Sequence, residues 1–162
     1  MRLRKRYVVL AALIGAVAAI STVSFAANAH FVSGPTCSQT STSTLDCSGK
    51  VAGLGNSAIF VVVNAPAGCI NGGQNTPPGH QNFISGPFTT PNGQFTFGPG
   101  TGHTVTATAA GCPAGQQPFI QTSNVTVSVF ECSSGTPTFS KKTGAQTNRD
   151  CTLDVSAPAT IV

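Results

Sequence analysis

The chain has 162 residues, a formal net charge of +4 and only 7% charged side chains. Four of its eight basic residues, Arg2, Arg4, Lys5 and Arg6, crowd the first six positions; the remaining Lys50, Lys141, Lys142 and Arg149 are balanced by Asp46, Glu131, Asp150 and Asp154. A nucleic-acid partner is therefore not expected, because displacing counterions from phosphates needs clustered Lys and Arg, and only Lys141 and Lys142 are adjacent.

Residues 1–29 read as a cleaved secretory signal peptide. The basic start is followed by Tyr7 to Ile20, an uncharged run of mostly Val, Ala, Leu and Ile that is too short for a membrane span of about 20 residues. Ala27-Asn28-Ala29 offers small residues at −3 and −1 and is the preferred cut; Ser24-Phe25-Ala26 is the alternative. A secreted bacterial protein, extracellular or associated with the cell surface, is the expectation. The other 133 residues, 30–162, suffice for one domain.

Strand signals follow one another from His30 onward. Phe31–Cys37 and Thr44–Ala52 flank a Ser/Thr-rich turn, and Ala58 to Val63 (AIFVVV) is a continuous apolar run bounded by Gly55-Asn56 and Asn64-Ala65-Pro66, as in a strand covered on both faces. Residues 64–94 contain six glycines and five prolines and read as a long loop, with at most a short edge strand at Asn82–Ser85. Gln94–Phe97 is the next strand. His103 to Ala109 (HTVTATA) and Asn124 to Val129 (NVTVSV) alternate with period two, and Thr152–Val155 closes the series. About seven short strands without helical periodicity imply an all-β, antiparallel Ig-like Greek-key sandwich, with an open barrel as the alternative. Val51, Ile59, Val61, Val105, Val127, Val129 and Leu153 are the expected core.

Cys37, Cys47, Cys69, Cys112, Cys132 and Cys151 form an even set in an exported chain and read as a disulfide framework. Six cysteines allow fifteen connectivities. Spacing favours Cys37–Cys47 and Cys132–Cys151 across local excursions, leaving Cys69–Cys112. Without a C-x-x-C pair, zinc is not expected.

Catalytic signatures are absent: there is no G-x-S-x-G, no H-E-x-x-H, no phosphate loop and no spare thiol. Asp150 and Asp154 read as surface carboxylates. With no Trp, and its single tyrosine, Tyr7, in the leader, residues 30–162 lack the usual sugar-stacking platforms. The chain is thus expected to be a non-enzymatic binding or surface module. It would act as a monomer with an extracellular or cell-surface partner, contacted through residues 64–94 and through Thr-rich strand faces.

Three histidines carry a second expectation. Cleavage after Ala29 would make His30 the first residue, so that its amine and ring could chelate one Cu(II), with His80 or His103 completing a tetragonal nitrogen set. Such a brace resembles the copper sites of lytic polysaccharide monooxygenases and of periplasmic Ig-like copper carriers, which implies copper as a cofactor. The segments HFVSGPT (30–36) and GKVAGLGN (49–56) are similar to a group of uncharacterised secreted bacterial proteins, and GKVAGLG resembles the second strand of neocarzinostatin-type sandwiches; these imply a fold and no activity.

Overall fold

Two-residue alternation sorts the side chains onto opposite faces of two packed sheets. The computed structural model describes residues 28–71, 74–75 and 79–162, so residues 1–27, on which the leader reading rests, lie outside it. Its strands are β1 (His30–Ser41), β2 (Thr44–Ala52), β3 (Ala58–Asn71), β4 (Gln74–Asn75), β5 (Gly79–Phe88), β6 (Gln94–Phe97), β7 (Val105–Thr108), β8 (Gln117–Ile120), β9 (Thr126–Cys132), β10 (Cys151–Pro158) and β11 (Thr160–Ile161). Among the described residues, no helix is long and apolar enough to cross a membrane.

In the first sheet, β2 lies between β1 and a lane shared by β6 and β7, which pair with opposite halves of β2 along the same edge. The short β11 runs parallel to β1 at Thr36 and Cys37. In the second sheet, β3 is the hub. One edge of β3 takes β9 along Ala58–Asn64 and β8 along Ala67–Ile70; the other takes β5 and then β4. β10 pairs outside β9. Where the sequence suggests about seven strands, the described residues form eleven segments in eight lanes, because three lanes are each built from two pieces.

The main core fills the space between the sheets. Leu45, Cys47 and Val51 of β2 face Ile59, Val61 and Val63 of β3 and Val127 and Val129 of β9, all with zero exposure. Phe95 and Phe97 project inward from β6 and are also buried. Gly49, opposite Phe97 in register, leaves room for that ring: a Cβ at position 49 would lie 2.8 Å from it.

A smaller apolar cluster lies on the outer face of the second sheet. Phe60, Val62, Phe130, Cys132 and Cys151 point away from the main core, and Phe139 covers them from the 133–150 excursion, its ring 5.7 Å from that of Phe130 and nearly perpendicular. The excursion folds back as an arm. Thr147 N–H donates to Thr138 O at 2.7 Å and Ser140 N–H to Ala145 O at 2.9 Å, while the Asn148 amide donates to Thr136 O at 2.8 Å.

The bridges are Cys37–Cys47, Cys69–Cys112 and Cys132–Cys151, the pairing that spacing favours. The first and third join residues directly opposite in register, with Cα atoms 4.1 and 4.0 Å apart. Three disulfides point to an oxidising compartment.

Two readings need correction. Leu153, expected in the core, is 52% exposed. It pairs with outward-facing Phe130, and a register shift between Leu153 and Val155 breaks the alternation, so Val155 packs on the core instead. The stretch 64–94, read as a loop, is mostly strand: β3 continues to Asn71 and β5 runs ten residues. Pro66 hid this continuation, since proline argues against a central strand. Here it faces the gap where β9 ends at Asn64 and β8 begins at Ala67, so its missing N–H leaves no ladder bond unmade, while its carbonyl accepts from Gln121 N–H at 2.8 Å.

Candidate functional site

The extension of β3 and β5 creates a groove of about 1060 Å³ between β5 and the arm. On the outer face, Pro66 pairs with His80, Asn64 with Asn82 and Val62 with Ile84. The floor of the groove is therefore the outward row His80, Asn82 and Ile84. Its wall is the arm from Thr136 to Gly144, which includes Lys141 and Lys142.

The floor carries an ordered polar chain. His80 Nδ1 lies 3.0 Å from Asn64 Oδ1, and Asn64 Nδ2 donates to Asn82 Oδ1 at 2.8 Å. An amide oxygen can only accept, so His80 Nδ1 carries the proton in this contact, and among the described residues the Asn82 NH₂ donates to no partner while Asn82 lines the groove. Ile84, 42% exposed, adds an apolar step beside this row. Two of the four basic residues of 30–162 line the groove and none of the four carboxylates of that stretch does, so the wall is locally positive although the charges of 30–162 balance.

The three histidines lie apart. His30 opens β1 opposite Ala52, its Nδ1 2.9 Å from Asn28 O. His103 bridges Gly98, and its ring packs 5.3 Å from Phe88 and 5.0 Å from Phe95 at the end of the main core. Both β2 and the lane of β6 lie between these two, since His30 pairs with Ala52 whereas His103 bridges Gly98 at the end of the β6 lane. His80 pairs with Pro66, whereas Phe88, which touches His103, pairs with Ile59; that separation along β3 is about 23 Å at about 3.3 Å per residue. No group of three His, Cys, Asp or Glu residues that could hold a metal occurs among the described residues. All six cysteines are in disulfides.

Glu131 was not singled out in the sequence, yet it is fully buried, in phase with Val127 and Val129 on β9. The alternation of NVTVSVFEC could have flagged it. Burial, and then the charge of Glu131, push the Asp154 carboxyl up from 3.8 to about 7. Asp154, read as a surface carboxylate, is half-buried at the β10 bulge, and the pair retains a proton near neutrality.

A second, smaller hollow of about 280 Å³ lies on the first sheet, lined by Gly34, Gly49 and Gly98 with Ser33, Thr36 and Ser48. Compared with known proteins, the chain matches no family model, no curated protein and no solved structure.

Proposed function

We propose that this is a secreted, disulfide-bonded, non-enzymatic binding or surface-associated module with an Ig-like Greek-key arrangement, working through the 64–94 segment and the arm facing it. The observation that supports this most is the groove itself: a strand pair held by the sandwich and an arm stapled at its base by Cys132–Cys151 present amide, imidazole and ammonium donors on one shelf. The outer face of the first sheet, with Thr36, Ser38, Thr96, Thr106 and Thr108, adds a hydroxyl-rich surface suited to polar contacts. The copper reading of His30, His80 and His103 has no comparable support, because each ring has different neighbours on a different element.

The test is fractionation and surface binding. Expressed with its own leader, the protein is expected in the medium or in a high-salt wash of the cell surface, with no reactive thiol. Purified and labelled, it should bind cell envelopes saturably. Recovery only in membranes after high-salt washing, or non-saturable uptake, would contradict the proposal.

A further inference from the structure

β5 is an edge strand, and its free edge lies open beside a positively charged shelf. Among the described residues it pairs with β3 alone, and no other backbone hydrogen bond reaches Gly79–Phe88. In an antiparallel pair, every second residue of an edge strand turns both its N–H and its C=O away from the partner. Proteins usually guard such edges with lysine, proline or a bulge. The segment Gly79–Ser85 has none of these: GHQNFIS contains no Lys and no Pro, and the register shift opposite Ile59–Val61 comes only after Ser85.

We propose that the edge of β5 between Gly79 and Ser85 docks an extended, acidic peptide segment of a partner protein as an added strand, its carboxylates meeting Lys141, Lys142 and the Asn82 amide. The proposal rests on the binding-module reading and names the chemistry of its partner. Strand addition supplies main-chain hydrogen bonds that are indifferent to sequence, and side chains on one face of the added strand then supply the selection. Those on the outer face would stand over the shelf beside the arm, where two ammonium groups face no lining carboxylate. Charge complementarity therefore selects Asp or Glu at alternate positions of the partner. Carboxylates also accept strongly from ammonium and amide donors. Ile84, exposed beside the donors, offers an apolar contact between the charges.

The test uses the oxidised protein and two labelled peptides of about ten residues, one alternating Glu with Val and the other alternating Lys with Val, in low salt where surface charges are least screened. Fluorescence anisotropy is expected to show the Glu peptide binding at least about tenfold more tightly than the Lys peptide. Hydrogen exchange should show the outward amides of Gly79–Ser85 becoming protected in the complex. Charge reversal by Lys141→Glu with Lys142→Glu, both exposed, should cost at least about tenfold in affinity for the Glu peptide. Asn82→Asp still accepts from Asn64 Nδ2 and should weaken the same peptide severalfold; unchanged circular dichroism separates either loss from misfolding.

Equal binding of the two peptides, protection elsewhere, or no binding overturns the proposal. So does protection of Gly79–Ser85 without peptide that grows with protein concentration, which would place a second copy on the edge. If the protein still saturates cell envelopes while neither peptide protects β5, the docking mode falls and the binding-module reading stands; if envelope binding also fails, both fall.

Discussion

The two apolar clusters of this protein are built on opposite faces of the same strands and differ in what closes them. The main core is closed by a second sheet, so residues from seven lanes interlock around Leu45, Val61, Phe97 and Val129. The outer cluster of Phe60, Val62 and Phe130 is closed only by an irregular arm, through Phe139 and the Cys132–Cys151 bridge. The first gives the fold its cooperative stability. The second gives the groove its wall, and its stability depends on one ring and one disulfide.

The strongest way to break that contrast is in the main core. Phe97→Ala removes a fully buried ring that Gly49 leaves no side chain to replace, and should cost about 3–5 kcal/mol, read as a global loss in denaturant unfolding. Replacing Cys132 and Cys151 together by Ser opens a 19-residue separation and should cost about 3 kcal/mol. Unlike the Phe97 variant, the double serine variant should also speed exchange throughout 133–150 and lower affinity at the groove.

Phe139→Ala sharpens the same comparison. It should cost about 1–2 kcal/mol, less than a core ring because Phe139 is only partly buried, and should loosen the arm while β3 and β9 keep their protection. Equal loosening of both clusters would mean that the arm and the sandwich unfold as one unit.

The smallest effect belongs to the carboxyl pair. The folded-state value for Asp154 is raised from 3.8 to about 7, so the folded protein binds its proton more tightly than the unfolded chain does. That contribution is complete below about pH 4 and lost as pH rises through about 7; water at this half-buried site reduces it to on the order of 1 kcal/mol. Unfolding measured between pH 5 and 8 should show stability falling with rising pH, and Asp154→Asn should flatten that slope.

The sequence revealed whatever obeyed a single period. Val105, Val127 and Val129 alternate cleanly, and their strands and inward faces could be read directly. Cysteine spacing likewise pointed to the right partners, because two of the bridges span neighbouring strands. Features set by tertiary context were hidden. Pro66 obscured the continuation of β3, since only the gap between β8 and β9 explains its tolerance. The arm has almost no apolar periodicity, so the role of Phe139 was invisible until Phe60 and Phe130 were seen to face outward. Leu153 followed the alternation until the bulge interrupted it.

The claim on which the groove depends is that β3 and β5 form a rigid strand pair whose outer edge along β5 is free among the described residues. Native-state hydrogen exchange resolved to single amides across Val61–Phe88 tests it directly. The account predicts amides of Val62–Val63 protected as well as those of β9, and along Gly79–Ser85 an alternation of slow and fast exchange, slow where N–H groups face β3 and fast where they face solvent. Uniformly fast exchange from Asn64 to Phe88 would restore the loop and remove the groove, and uniformly slow exchange along β5 would show that its edge is already covered.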